Sequence, residues 1–333
     1  MTASLHIPHE TAAQSVIHTC WPADGDLWEE NLDPARAEFA SFVSHLVRGG
    51  QAVTVHAANE ETQRDVRARL GDTVNVVRNP YGDVWVRDTG PVCALSGDGL
   101  KAVRFRFNGW GGKYELDGDQ QIGLAVASLA GAMLREIDLV CEGGALEFDG
   151  EGTLITTRQC LLNANRNPGL SEAQVEDRLK KALGIDRVIW LDEGLIGDHT
   201  DGHVDNIARF IAPGIVACQS ATGRDDPNAK IFEAIARQLE SARDAKGRKL
   251  KVVRLPSPGR VVDEEGEPRA ASHMNWVIAP GTVVIPSFNA HADAALEVLK
   301  PYFAKHTLAA SPSSHILSGG GSFHCVTCNQ PRV

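Results

Sequence analysis

Helix-like and strand-like segments alternate along the whole 333-residue chain, and this alternation constrains the fold more than any other feature. Six amphipathic segments predict helices, at about residues 33–49, 60–70, 119–133, 171–184, 228–246 and 291–303. Short runs rich in β-branched residues lie between them and predict strands, at residues 52–55, 74–77, 187–190 and 251–254. Strands that alternate with helices in this way are typical of an α/β fold.

Local signals mark where several of these elements begin and end. Asp33-Pro34 predicts a helix start and Gly49-Gly50 its end, while Ser171 and Gln174 form a capping-box pattern. Three further turn signals predict hairpins, at residues 150–152, 213–214 and 280–281. No stretch rich in Pro, Ser or Gly divides the chain, so we expect a single catalytic domain over residues 1–333.

The charge of the chain restricts its partners. The formal net charge is -10, with 43% hydrophobic and 23% charged residues, which is an ordinary composition for a protein with a large core. An acidic surface disfavours nucleic acids and anionic membranes, and it favours small cationic ligands. The same charge is also explained by solubility alone.

The cysteine usage and the N-terminal sequence predict a reducing compartment. Seven scattered cysteines are unlike the short, evenly paired frameworks of secreted proteins. The first six residues lack the basic and apolar regions of a signal peptide, and the most apolar stretch, residues 277–288, is interrupted by Pro280, Gly281 and Pro286. We therefore expect a cytoplasmic enzyme that does not span a membrane.

Two clusters in the first half of the chain combine glycine with charged side chains. In residues 83–91 an alternating pattern runs into Gly90-Pro91, which predicts a strand with Arg87 and Asp88 at its end, where α/β proteins place their sites. In residues 141–144 a Gly pair follows Glu142 and permits close backbone approach. The alternatives are a surface ion pair in the first cluster and a plain turn in the second.

A third cluster, residues 198–206, contains two histidines and three aspartates. His203 and Asp205 are two positions apart, so in a strand they would face the same side, and a histidine beside a carboxylate suits general acid–base chemistry. A metal site that uses His199 and His203 is one alternative, although Gly202 and its β-branched neighbours argue against the helix which that spacing needs. A purely structural role is the other alternative.

A fourth cluster, residues 318–328, contains three glycines before Cys325. Backbone amides there could stabilise developing charge, and a thiolate at Cys325 would be a nucleophile. A buried, inert thiol is the common alternative. Cys325 and Cys328 also form a C-x-x-C pair, which keeps a redox or zinc site open and predicts that oxidation links the two sulfurs reversibly.

Together and in this order, the clusters resemble the agmatine deiminase family, which is peptidylarginine-deiminase-like and belongs to the guanidino-group-modifying enzymes. The resemblance covers nearly the whole chain and is carried by Pro8, Trp21-Pro22 and residues 83–91, 107–112, 142–144, 161–168, 202–206 and 319–325. It implies a pentein-type fold, a five-bladed pseudo-symmetric α/β propeller with the site on the central axis.

The resemblance also implies a role for each catalytic residue. Cys325 would attack the guanidinium carbon, and Asp88 and Asp205 would accept hydrogen bonds from the guanidinium nitrogens. His203 would protonate the departing ammonia and then activate water, and Glu142 would orient His203. The implied reaction converts agmatine and water into N-carbamoylputrescine and ammonia through a covalent thiouronium, as in putrescine biosynthesis.

Substrate binding is implied at further positions. Trp85 would pack against the substrate, and the other expected binding residues are Asp83, Arg87, Asn108, His199, Asp201 and Gly320. No cofactor and no metal is implied; the expected partner is a small cationic guanidino substrate, and a homodimer is possible.

The chain departs from the family pattern near the expected substrate tail. His199 stands where the family commonly has a glutamate, Ser322-Phe323 replaces an Asn–Ile pair, and Cys328-Asn329 replaces a glutamine pair. Because of these departures, another guanidine, such as peptidyl-arginine or an alkylguanidine, is an alternative substrate.

Overall fold

The computed structural model describes residues 5–333, so residues 1–4, on which the signal-peptide argument partly rests, lie outside the described residues. The strands of the described chain are β1 Gln14–Cys20, β2 Val53–Ala57, β3 Asn75–Arg78, β4 Val92–Ser96, β5 Gly99–Arg106, β6 Met133–Val140, β7 Glu147–Phe148, β8 Thr153–Thr157, β9 Arg187–Leu191, β10 Ala208–Ala212, β11 Ile215–Ser220, β12 Lys251–Pro256, β13 Val277–Ala279, β14 Thr282–Ser287, β15 Thr307–Pro312 and β16 Thr327–Pro331.

Most of the helices lie between these strands. They are α1 Gly25–Trp28, α2 Leu32–Arg48, α3 Glu60–Leu70, α4 Val86–Thr89, α5 Gly109–Gly112, α6 Asp119–Leu129, α7 Arg158–Leu161, α8 Glu172–Leu183, α9 Ala229–Ser241, α10 His291–Leu299 and α11 Ser314–Ser318. Short 3-10 turns cover Glu29–Asn31, Gly143–Ala145 and Val204–Asn206. The α/β class predicted from the alternation is confirmed.

One pairing pattern recurs in every sheet of the described chain. The five sheets have the strand orders β4-β5-β6, β7-β8-β9, β10-β11-β12, β13-β14-β15 and β16-β1-β2-β3. In each, the first two strands pair antiparallel and the next pairs parallel after a helical crossover, as in β4, β5, α6 and β6. The five sheets are therefore repeats of one pairing pattern, although their sequences differ.

The sheet that contains both ends of the described chain is assembled from distant segments. Strand β16 pairs antiparallel with β1, with Cys328 opposite His18, and β1 continues in parallel to β2 and β3. Because Cys325 lies two residues before β16, the N-terminal strand determines where this cysteine is held.

The long helices form for reasons that are visible in the sequence. Helix α2 buries one face, and its buried apolar residues recur every three or four positions; they are Ala35, Phe39, Phe42, Val43 and Leu46. In α8 the predicted capping box of Ser171 and Gln174 is present, and the helix ends at Gly184 in the left-handed conformation.

Three predicted helices extend too far at their C-terminal ends. The helix predicted to residue 133 ends at Leu129, because the chain turns at Gly131 with a positive φ and Met133 begins a strand paired with β5. Those predicted to residues 246 and 303 end at Ser241 and Leu299. Strand pairing and turns override helical propensity there. The three hairpin predictions are confirmed by antiparallel pairs β7/β8, β10/β11 and β13/β14.

One local prediction near the expected site is wrong. Residues 86–89 form helix α4 instead of the end of an alternating strand, with the Gly90 amide bonded to the Val86 carbonyl. His203 and Asp205 lie at a 3-10 turn that follows Gly202, whose φ is 85°, so the sequence argument against a helix that pairs His199 with His203 agrees with the structure. Within residues 5–333 none of the helices combines the length and apolarity required to cross a bilayer.

A core substitution tests how α2 supports residues 319–326, the segment that contains Cys325. Phe42 is fully buried and stacks on Phe323, with the ring centroids 4.3 Å apart. Phe323 lies two residues before Cys325. We expect Phe42→Ala to lower the free energy of unfolding by about 3–5 kcal/mol in urea titrations, because it opens a cavity. Leu124→Ala, at a side chain that is 43% exposed, should cost less than about 0.5 kcal/mol. Equal effects would contradict this packing role.

Candidate active site

Five segments that approach one another share the same place in the repeat, directly before the first strand of each sheet. They are helix α4 before β4, the turn Gly143–Ala145 before β7, the turn Val204–Asn206 before β10, residues 272–276 before β13 and residues 319–326 before β16. The side chains they bring together are Asp88, Glu142, His203, Asp205, Asn275 and Cys325. The sequence-predicted catalytic residues therefore lie within one cluster.

Cys325 is a buried thiol at the centre of this cluster. Its Sγ accepts a hydrogen bond from Nδ2 of Asn275 at 3.2 Å and lies 3.8 Å from Oδ2 of Asp205. Burial raises the pKa of Cys325 well above its usual value, and the nearby carboxylates of Asp205 and Asp88 raise it further. In the empty site the sulfur is therefore held as the thiol.

Asp88 and Asp205 are two buried carboxylates with different partners. Asp88 accepts hydrogen bonds from the Gly144 amide and from Nε1 of Trp110, both at 2.9 Å. Asp205 bonds through Oδ2 to Nδ1 of His324 at 2.7 Å, whereas its buried Oδ1 has no hydrogen-bond partner among residues 5–333. A buried anionic oxygen without a partner is costly, so this oxygen is available to a cationic ligand.

The pKa values of these two carboxyl groups shift in opposite directions. Burial raises the pKa of Asp88, and Asp205 and Glu142 add to that effect against the opposing influence of His203. Burial opposes ionisation of Asp205 as well, but His324 and His203 hold the pKa of Asp205 below its usual value. Asp205 is therefore the more firmly ionised of the pair.

His203 lies between two carboxylates without a close hydrogen bond. Its Nδ1 is 3.7 Å from Oδ2 of Asp88, and its Nε2 is 3.7 Å from Oε2 of Glu142. Burial alone would lower the pKa of His203, but Asp88, Cys160 and Glu142 hold it well above its usual value. Position 144 must be glycine, because a Cβ there would be 2.5 Å from Nδ1 of His203.

Glu142 is connected to a guanidinium inside the protein. Arg166 donates from Nε to Oε1 of Glu142 at 2.7 Å, and both side chains are fully buried. Although burial opposes ionisation, His203 and Arg166 hold the pKa of Glu142 below its usual value. Glu142 is thus a fixed negative charge next to the imidazole.

A pocket of about 200 Å³ is lined at one point by Cys325. Its walls are largely aromatic; the lining aromatic residues are Trp28, Trp85, Trp110 and Tyr114. Trp28 and Trp85 stack with centroids 6.2 Å apart. The glycines before Cys325 are a close-packed wall, because a Cβ at Gly321 would be 2.7 Å from the Trp85 ring. Flat side chains and glycine backbone together leave a narrow slot.

The outer part of the pocket contains three of the predicted binding residues. Nδ1 of His199 is 2.9 Å from the Tyr114 hydroxyl, and Gly320 lies across from it with a φ of 109°. Asp83 accepts a hydrogen bond from Nε1 of Trp28 at 2.9 Å. Burial raises the pKa of Asp83 to about 6, and the Trp28 indole opposes that rise.

Three other predicted binding residues do not line this pocket. Arg87 points away from it, donates to the His324 carbonyl and to Asn329, and faces a second cavity of about 70 Å³. Asn108 caps α5 and holds the loop that carries Trp110. Asp201 accepts from Lys113 at 2.6 Å and from Arg166 at 2.9 Å. These three residues bond to neighbouring parts of the protein and do not face the pocket that contains Cys325.

Some residues of the site could not be found by motif. Asn275 follows Ser-His-Met and has no distinctive neighbours, but it occupies the same place before β13 that Asp88 occupies before β4. Its place in the repeat is the one signal that could have identified Asn275. Trp28 and Tyr114 reach the pocket from α1 and from the loop after α5, which the sequence clusters did not include.

The structure changes which residues a metal site or a redox pair would use. Ligand atoms of Glu142, Cys160 and His203 lie within 4.8 Å of one another, but the Arg166 guanidinium already neutralises Glu142 and disfavours a cation there. His199 is not in this group. Cys328 is a free thiol whose Sγ lies 3.3 Å from the Pro91 carbonyl, whereas the free thiol of Cys325 contacts Asn275.

The chain is similar to known proteins over almost its entire length. Residues 6–331 match the model of the Porphyromonas-type peptidyl-arginine deiminase family. It is 40% identical to the agmatine deiminase of Pseudomonas aeruginosa (strain UCBPP-PA14) and 39% identical to that of Ectopseudomonas mendocina (strain ymp), in each case over 98% of this chain and 95% of the relative.

Solved structures agree with these relatives. The agmatine deiminase of Enterococcus faecalis superposes with a TM-score of 0.93 at 29% identity, over 99% of this chain and 96% of that chain. A C. jejuni agmatine deiminase with substrate bound gives a TM-score of 0.90 at 25% identity, over 98% and 96%. The resemblance predicted from the ordered motifs is confirmed, and the chain belongs to the Porphyromonas-type peptidyl-arginine deiminase family.

Proposed function

We propose that this protein hydrolyses agmatine to N-carbamoylputrescine and ammonia, with Cys325 as the nucleophile. The observation that carries the proposal is the buried thiol of Cys325, which lines the pocket together with Asp88 and lies 3.8 Å from Oδ2 of Asp205, a carboxylate whose Oδ1 has no hydrogen-bond partner among residues 5–333. A planar cation with several N–H donors matches two carboxylates around one thiol. The similarity to agmatine deiminases supports agmatine as the substrate.

The finer architecture is part of the same proposal. We infer that the five sheets are the blades of one pentein-type propeller domain that spans residues 1–333. Contacts between successive sheets support a ring, because α8 contacts β6, α10 contacts β12 and α2 contacts β15. In this arrangement the segments before the first strands converge on the central axis. The cytoplasmic location and the homodimer stay predictions.

Substrate binding, in this proposal, activates the nucleophile. The guanidinium inserts between Asp88 and Asp205, which accept its N–H groups while Trp85 packs against it. Its positive charge offsets the carboxylates that raise the pKa of Cys325, so the thiol releases its proton to solvent more easily. The substrate therefore creates the thiolate that attacks it.

The chemistry then proceeds in two halves. The Cys325 sulfur forms a bond to the guanidinium carbon, and the C–N bond to the leaving nitrogen breaks as protonated His203 gives that nitrogen a proton. The resulting thiouronium is hydrolysed by water, which gives a proton to the now neutral His203 as it adds to the carbon. The C–S bond breaks, and the ureido product leaves. Glu142 keeps His203 oriented and favours its cationic form.

The pocket lining supports agmatine over free arginine. Among the described residues that line it there is no Arg or Lys, so the carboxylate of arginine would lose its water without gaining a cationic partner. The primary amine of agmatine, in contrast, can approach Asp83, which is mostly ionised above its pKa of about 6. His199 and Tyr114 complete this outer part of the pocket with polar contacts.

The first prediction concerns the reaction itself. The purified protein should release ammonia and N-carbamoylputrescine from agmatine in equal amounts, and Cys325→Ala should lose activity by at least about 10³-fold, because the covalent route is removed. Cys328→Ser is the matched control and should keep activity. Loss of activity with either cysteine would favour the redox pair, and activity with peptidyl-arginine but not agmatine would contradict the proposed substrate.

The second prediction concerns selectivity. The ratio of kcat/KM for agmatine to kcat/KM for arginine should be at least about 100, the value that roughly 3 kcal/mol of uncompensated carboxylate burial corresponds to. Asp83→Asn should raise KM for agmatine more than it changes kcat. Comparable kcat/KM values for both substrates would exclude the proposed lining as the basis of selectivity.

The third prediction concerns the thiol. Because burial and the carboxylates of Asp205 and Asp88 raise the pKa of Cys325, its alkylation should be slow at neutral pH and should accelerate as the pH rises. A small guanidinium ion that leaves the sulfur accessible should increase the neutral-pH rate. Mass spectrometry of the Cys325 peptide measures this, with Cys325→Ala as the background. Fast alkylation that guanidinium leaves unchanged would rule out activation by substrate.

A further inference from the structure

His324, next to the proposed nucleophile, connects two carboxylates from distant parts of the chain. Its Nδ1 lies 2.7 Å from Oδ2 of Asp205, and its Nε2 lies 2.7 Å from Oε1 of Glu10. The imidazole is buried, whereas Glu10 borders the second cavity, the one that does not contain Cys325. The hydrogen-bonded series Glu10–His324–Asp205 therefore extends from that cavity to the candidate active site.

The hydrogen bonds place both ring nitrogens of His324 opposite carboxylate oxygens. An ionised carboxylate can only accept hydrogen bonds, so each ring nitrogen is in position to donate to the oxygen that it faces at 2.7 Å. Burial opposes ionisation of Asp205 and Glu10, but His324 and Arg209 hold the pKa values of both carboxyl groups below their usual range.

Two guanidinium groups pair with Glu10. Glu10 forms ion pairs with Arg209 at 2.5 Å and with Arg87 at 3.4 Å. Arg209 also pairs with Glu147 at 2.8 Å, although burial raises the pKa of Glu147 to about 7 against the opposing effect of Arg209. A buried carboxylate such as Glu10 is tolerable when cations are paired with it in this way.

We propose that His324, held as an imidazolium by Glu10, is a positioning residue that keeps Asp205 ionised and leaves its Oδ1 free for the guanidinium of the substrate. This inference rests on the proposed deiminase function. His324 reaches the candidate active site through its 2.7 Å hydrogen bond to Oδ2 of Asp205, so it acts through that carboxylate.

Asp205 depends on this partner because its other neighbours do not supply a close cation. The charged or titratable groups around it are Asp88, His203, Arg209, His324 and Cys325. Of these, His324 makes the short hydrogen bond, at 2.7 Å to Oδ2 of Asp205, and the neutral thiol of Cys325 lies 3.8 Å from the same oxygen. Without the imidazolium, a buried Asp205 beside Asp88 would take up a proton and lose its attraction for a guanidinium.

The test uses substitutions at Glu10 and His324 in the full-length enzyme. His324→Gln should raise KM for agmatine roughly 10- to 100-fold, the range that loss of a charge-assisted hydrogen bond corresponds to, with a smaller change in kcat. Because Asp205 must be ionised to bind the guanidinium and its pKa rises without the cation, the acid limb of the kcat/KM profile should move to higher pH.

The role of the Glu10 charge is tested separately. Glu10→Gln keeps an oxygen that accepts from Nε2 of His324 but removes the charge, and it should shift KM and the acid limb in the same direction by a smaller amount. Glu10→Asp keeps the charge and should restore most of the wild-type behaviour. Equal effects of the two substitutions, with an unmoved acid limb, would overturn the proposal.

A matched control and a readout without activity complete the test. His18 is also buried with both ring nitrogens partnered, but by His56 and Gln330 instead of carboxylates, so His18→Gln should leave the acid limb in place. In ¹H–¹⁵N spectra of the wild-type protein, both ring nitrogens of His324 should carry hydrogen at neutral pH. A neutral His324 ring would overturn the inference even if the enzyme is a deiminase, and absence of all deiminase activity would refute only the proposed function.

Discussion

The pairing of β16 with β1 is the constraint on which the candidate site depends. It joins residues from opposite ends of the described chain into one sheet and holds Cys325 two residues before the first strand of that sheet. The loop is also held from the side, since Phe323 stacks on Phe42 of α2. The thiol is thus placed by long-range contacts, which makes its position sensitive to the N-terminal strand that no catalytic motif includes.

Repetition explains how so many functional groups reach one point. Each sheet begins with a strand that is preceded by a short turn, and each such turn contributes at least one side chain: Asp88, Glu142, His203 with Asp205, Asn275 or Cys325. Short turns of this kind are stiff because glycine is required at contact points, as at Gly144 against His203. A stiff, repeated frame can hold reactive groups at distances that flexible loops would not keep.

The site also depends on how its buried carboxyl groups are paired. Glu142 is paired with Arg166, and Asp205 with His324, whereas Asp88 accepts hydrogen bonds from Gly144 and Trp110 and has Nδ1 of His203 at 3.7 Å. These different partners separate the pKa values of otherwise similar carboxyl groups. The sequence predicted the carboxylates but not these partners, since an ion pair between residues 24 or 119 positions apart follows from the fold alone.

The sequence by itself determined the α/β class, most helices and hairpins, and the identity of the proposed catalytic residues, because helical periodicity, turn chemistry and local motifs lie within short segments. It did not determine the ends of α6 and α9, the helical form of residues 86–89, or the orientation of Arg87 away from the pocket. Tertiary structure decided those, and also added Asn275 and His324 to the site. The physical reason is that strand pairing and buried hydrogen bonds join distant residues, and their strength outweighs local preference.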